Sequence, residues 1–124
     1  MRGAGKNSIL CEKSLNFAVR IVKFYKYLCE EKQEYVLSKQ VLRCGTSIGA
    51  NLSESRNAQS NADFISKINI ALKEANETHY WLELFLRSEI IPEEFYFSLN
   101  QDLEELIAML VSALKTLKKV KGER

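Results

Sequence analysis

The sequence is poor in the residues that build most catalytic and cross-linked sites. It has one histidine, one proline, one tryptophan and three cysteines in 124 residues. Any histidine-based dyad would have to use His79. Cys11, Cys29 and Cys44 are an odd number with no C-x-x-C spacing, which argues against a disulfide framework and against zinc. They read as small buried hydrophobes. With Pro92 as the only proline, the rest of the chain is free to form long helices. No apolar run approaches the ~18 residues of a membrane helix. The opening "MRGAGKNSILCEKS" has no apolar core of a secretory signal. A cytoplasmic protein without a membrane partner is therefore expected. There is no P-loop and no G-x-G-x-x-G after a strand, so neither a cofactor nor a small-molecule substrate is expected.

What is present is ordinary globular material, 46% hydrophobic and 27% charged, in a length that suits a single domain over 1–124. Net charge is +2, but it is unevenly spread. Residues 1–29 hold six Lys/Arg against one acid, residues 30–105 seven against fourteen, and residues 106–124 five against one. Both ends of the chain are basic and the middle is acidic, which says more about a partner than the net value does.

Strand-like alternation is almost absent and four helical segments follow. The first is expected at about 8–29, with Ser8 as N-cap. It carries two apolar stripes. Leu15, Ala18, Val19, Val22, Tyr25 and Cys29 form the one assigned to the core. Phe17, Ile21, Phe24 and Leu28 form a second, which needs a cover and is assigned to an oligomer interface. The second helix is expected at about 37–57, with Gly45 and Gly49 on its apolar side. Each glycine costs about 1 kcal/mol in a helix, which close approach of another helix would offset. The third is expected at about 61–88, capped by Ser60 or Asn61, and the fourth at about 93–120, entered through Pro92 and two acids. Residues 1–7 and 121–124 are expected to fray. Four such helices with short connections predict an all-α, antiparallel up-down-up-down four-helix bundle. Its first and last helices are then neighbours, so Lys13, Arg20, Lys23, Lys115, Lys118, Lys119 and Lys121 are expected to pool into one electropositive, nucleic-acid-binding region.

The second helix also carries a polar row, Arg43, Ser47, Asn51 and Glu54, along one strip beside its apolar stripe. An antiparallel partner places residues whose numbers sum to about 120 face to face. Arg43 then meets Glu77 and Glu74, Ser47 meets Lys73 and Glu74, and Asn51 and Glu54 meet Ile70 and Lys67. Pattern alone leaves two readings open, a partly buried seam of charge-assisted bonds or a solvated face. Glu54, Glu74 and Glu77 as a metal-dependent site is the weaker alternative, since the E-x-x-H of di-iron bundles is missing. No catalytic residue and no metal ligand is assigned, and the chain is expected not to be an enzyme.

The stretches "RCGTSIGANLSES" and "DFISKINIALKEANETHYWL" are similar to a bacterial family of four-helix-bundle proteins encoded in intervening sequences of 23S rRNA genes. That family also includes the accessory variability determinant of diversity-generating retroelements. Arg43, Ser47, Ile48, Gly49, Asn51 and Glu54 match its first motif, and Phe64, Ala71 and Glu74 its second. The resemblance implies a ring-like homopentamer, not an enzyme, with a basic surface suited to structured RNA or RNA/DNA. In the retroelement branch the implied partner is a reverse transcriptase. A protein-interaction scaffold is the competing class. The small net charge leans toward the intervening-sequence branch.

Overall fold

A computed structural model describes the backbone over residues 4–122 and the side chains over residues 9–117. Four helices account for it: α1 (Ala4–Lys32), α2 (Leu37–Ser55), α3 (Asn61–Arg87) and α4 (Glu93–Gly122). Among the described residues there is no strand. Each helix packs on its sequence neighbours, and α1 closes the bundle against α4 over the thinnest of the four seams. Cross-helix contacts run in opposite senses along every pair, so the topology is the expected antiparallel one.

The helix ends are set by local chemistry. α1 begins before Ser8, which lies inside the helix rather than at its N-cap. Residues 4–7 and 121–122 are helical, while residues 1–3 and 123–124, also expected to fray, lie outside the described residues. α1 continues to Lys32 and ends through Gln33 at φ 49°. The Glu34 N–H then donates to the Leu28 carbonyl, six residues back, at 2.9 Å, which satisfies one carbonyl the helix end leaves open. Glu34 also starts α2. Its carboxylate accepts from the backbone N–H groups of Ser38 (2.6 Å), Leu37 (3.0 Å) and Val36 (3.3 Å), which satisfies donors a helix start leaves orphaned. Ser60 caps α3 by accepting from the Asp63 N–H at 3.1 Å, and the Asp63 carboxylate accepts from the Gln59 N–H at 3.3 Å. The α3–α4 turn also passes through a left-handed residue, Glu89 at φ 60°, and closes as a Schellman motif, with the Ile90 N–H on the Phe85 carbonyl and the Glu89 N–H on the Leu86 carbonyl, both at 3.0 Å.

The core takes Val41, Cys44, Ile48 and Leu52 from α2, Phe64, Ile68, Ala71, Ala75, Leu82 and Phe85 from α3, and Tyr96, Leu99, Leu103, Leu106, Leu110 and Leu114 from α4. α1 reverses the expectation. Its buried stripe is Phe17, Ile21, Phe24 and Leu28, all at most 5% exposed, whereas Leu15, Val19 and Val22 are 59%, 47% and 38% exposed. The residues assigned to an oligomer interface are therefore inside this chain's own core. Energy explains the choice. Burying a Phe, Ile or Leu side chain is worth about 1.5–3 kcal/mol, and this stripe has four of them. The rival stripe offers smaller or more polar residues such as Ala18, Tyr25 and Cys29.

The glycines let α1 approach α2. A Cβ at Gly45 would lie 2.9 Å from both Cγ1 and Cγ2 of Ile21. Those atoms branch directly from the Ile21 Cβ, and the side chain is fully buried, so it has no room to swing away. At Gly49 the tightest contacts would be Ser14 Oγ at 3.3 Å and the Ser14 carbonyl oxygen at 3.4 Å. Gly45→Ala gains about 1 kcal/mol of helix propensity but overpacks the core at a cost of about 1–3 kcal/mol. It is expected to lower the urea unfolding midpoint, with a net loss near 1 kcal/mol. Gly49→Ala, in looser surroundings, is expected to be neutral or stabilising; equal stabilisation by both would contradict the packing account.

Candidate functional site

The polar row and the α3 carboxylates meet as the antiparallel register requires. Arg43 donates through Nη1 to Glu74 Oε1 at 3.3 Å and through Nη2 to Glu77 Oε2 at 2.5 Å. The Trp81 indole N–H donates to the same Glu77 oxygen at 3.4 Å. Nearer the turn, Lys67 lies 3.3 Å from Glu54. One layer inward, the Thr78 hydroxyl donates to Cys44 Sγ at 3.2 Å. Ser47 and Asn51 depart from the expectation. Ser47 Oγ donates to the Arg43 carbonyl at 2.7 Å and Asn51 Nδ2 to the Ser47 carbonyl at 2.8 Å. Both side chains turn back on their own helix, as short polar residues do when an i−4 carbonyl is within reach.

The cluster lies between the two readings the sequence left open. The Arg43 side chain is 51% exposed, while those of Glu74 and Glu77 are 17% and 33% exposed. Partial burial works against ionisation of Glu77, but the hydrogen bonds from Arg43 and then Trp81 outweigh it and hold its carboxyl below the usual range. The same pairing raises the Arg43 guanidinium further above its ordinary value, against a smaller opposing effect of burial. These are structural ion pairs, with the guanidinium screened by solvent.

Two of the basic residues expected to pool, Lys13 and Arg20, are engaged by acids of α4. Lys13 lies 3.2 Å from Glu105. Arg20 Nη1 donates to Asp102 Oδ2 at 2.7 Å and to the Ser98 carbonyl at 3.1 Å, and Nη2 donates to Ser98 Oγ at 2.6 Å. Thus the middle of α4 neutralises the α1 cations that face it. The signal was present in "QDLEEL" (101–106), but the basic last turns of α4 masked it. Lys23 and Lys115 are exposed. The side chains of Lys118, Lys119 and Lys121 lie outside the described residues, although α4 carries their backbone. Because α1 and α4 are antiparallel, the N-terminal turns of α1 and the C-terminal turns of α4 meet at one end of the bundle. Glu30, Glu31, Glu34, Glu89, Glu93 and Glu94 sit at the other end, around the α1–α2 and α3–α4 turns.

Reactive groups are placed for structure. Burial pushes the Cys44 thiol up to about 11, against a smaller lowering by Thr78, so it stays protonated near neutrality. Burial also raises Cys11, with Arg56 partly opposing it. His79 sits at the edge of the core, with Nδ1 2.9 Å from Asn100 Oδ1 and Nε2 3.4 Å from Glu83 Oε1. It ties α3 to α4 and touches no nucleophile in those contacts. Among the described residues, no group of three or more His, Cys, Asp or Glu could hold a metal ion, and no helix is long and apolar enough to cross a membrane.

The molecule defined by this geometry is an antiparallel four-helix bundle whose organised polar feature is an interhelical ion-pair seam. Its residues 6–112 match the family model described as 23S rRNA-intervening sequence protein, and the chain belongs to that family. It is similar to a solved protein of unknown function from the S23 ribosomal protein family of Bacteroides thetaiotaomicron VPI-5482. The two share 58% identity at a TM-score of 0.87, over 89% of this chain and 98% of the other. No curated protein matches the chain.

Arg43→Ala is expected to cost about 1 kcal/mol at neutral pH, because half-exposed pairs are worth little and Glu77 stays partly solvated when left alone. The lowered Glu77 carboxyl stabilises the fold above the ordinary carboxylate range, and that contribution is lost as pH falls through the lowered value. Urea unfolding of wild type and variant should therefore converge as pH falls below the ordinary carboxylate range and through the lowered Glu77 value. A loss of several kcal/mol, or a gap unchanged in acid, would contradict this.

Proposed function

We propose that the chain is a cytoplasmic, non-catalytic, self-assembling protein that binds structured RNA, or an RNA/DNA hybrid, through the basic end of its bundle. The observation that carries the reading is the segregation of charge along the bundle axis. Lys115 and the positions of Lys118, Lys119 and Lys121 lie on the last turns of α4, beside the start of α1, while the turns at the far end carry six glutamates against Lys32, Lys39 and Arg87. Pairing of Lys13 and Arg20 with α4 acids leaves Lys115 and the last turns of α4 to supply most of the attraction.

The interface for self-assembly moves to the outer stripe of α1. Leu15, Val19 and Val22, spaced by four and three, form an open apolar strip. The family resemblance supports a ring-like pentamer, which would multiply a weak cationic face by symmetry. The second reading is a protein-interaction scaffold, including an accessory subunit of a reverse transcriptase. It draws on the same strip, with a different protein as its cover.

Phosphate-dominated binding is steeply salt-dependent and weak in sequence preference. Fluorescence anisotropy with a labelled RNA hairpin should show binding at about 50 mM salt that weakens at least ten-fold by about 200 mM. Lys115→Ala combined with Lys118→Ala should weaken it for every hairpin sequence tried. Absence of binding at low salt would overturn the reading.

A further inference from the structure

Farther along the α1–α4 seam, away from the basic end, a groove of about 530 Å³ opens between Arg20, Lys23, Tyr27, Glu94 and Phe95. Its floor is the outer end of an aromatic ladder that climbs from the core. Phe85, fully buried, meets Phe24 edge-on at 5.8 Å; Phe24 stacks on Tyr27 at 6.3 Å; Tyr27 meets Phe95 at 4.9 Å. Phe95 is 39% exposed, so the ladder ends on a ring open to solvent. Cations surround it. Arg20 is fixed by Ser98 and Asp102, and Lys32 Nζ stands 5.9 Å over the Tyr27 ring. Lys23 is exposed on the rim.

We propose that this groove is a stacking site for an unpaired base of single-stranded nucleic acid, with Lys23 taking a flanking phosphate. The proposal rests on the RNA-binding reading above and extends it from phosphate contact to base contact. An aromatic face with cations beside it is what single-strand binding uses, because every base has a π-face. An extended peptide is the poorer fit. The groove walls are two helices whose backbone groups are paired internally, so they offer no free sheet-like edge. The Glu94 carboxylate at the groove can accept from an exocyclic amino group. Lys23 stands level with Ser98 in the groove, about 25 Å along α4 from Lys115 at ~1.5 Å per residue. An overhang of about eight nucleotides, at ~3.4 Å each, from a duplex held at the basic end therefore reaches the groove.

The test uses the full chain with two RNA hairpins, one blunt and one bearing a single-stranded overhang of that length that contains 2-aminopurine. The overhang is expected to tighten binding about ten-fold, with quenching of 2-aminopurine fluorescence. Phe95→Ala should abolish both effects and leave blunt-hairpin binding unchanged, and Phe95→Trp should retain both. Lys23→Ala, on an exposed helical position that leaves the fold intact, should reduce the overhang advantage; circular dichroism checks helicity. Equal binding of the two hairpins without quenching would overturn the stacking site alone. Failure of both to bind would overturn the RNA-binding reading and this site with it.

Discussion

The contact between Ile21 and Gly45 is the constraint from which the rest of the bundle is set. α1 is apolar on two sides, and only one side can face inward. The glycine lets the α2 backbone come close enough to seat a β-branched side chain with no Cβ between them. Ile21 brings with it Phe17, Phe24 and Leu28, its neighbours at helical spacing, and fills the core with them. Once that stripe is committed, Leu15, Val19 and Val22 must face outward, α4 must close on the far flank of α1, and the basic ends of both helices must coincide.

The ion pairs do a different job. The Arg43–Glu77 and Lys67–Glu54 pairs join α2 and α3 at matched heights. They fix register more than they add stability, since half-exposed pairs contribute little free energy. On the opposite flank, Lys13–Glu105 and Arg20–Asp102 do the same for α1 and α4, where apolar packing is thinnest. Each pair consumes a charge that would otherwise face solvent. The free cationic surface is therefore smaller than the count of Lys and Arg suggests.

Most of the fold was legible in the sequence. Helical periodicity, Ser60 and Pro92 placed the elements, and antiparallel arithmetic put Arg43 opposite Glu77 because short turns leave adjacent helices little freedom to slide. The inner stripe of α1 was not legible from periodicity, since two stripes of similar width compete. Residue size and the glycines opposite were the cues, and they only act once α1 is set against α2. Ser47 and Asn51 were misread because a helix diagram shows which strip a side chain leaves from and not whether it folds back to a carbonyl. The pairing of Lys13 and Arg20 needed the α1–α4 register, to which Asp102 and Glu105 are the guide.

α1 divides by face: an inner stripe folds the chain, and an outer stripe is proposed to join copies of it. Family membership supports the bundle, and the charge segregation supports a nucleic-acid partner at one end. Sedimentation equilibrium of the double variant Leu15→Lys/Val19→Lys, read beside its circular dichroism, tests the division most directly. The account predicts an oligomeric wild type and a fully helical, monomeric variant. An unfolded variant would return the outer stripe to the core, and an unchanged mass would remove it from the interface.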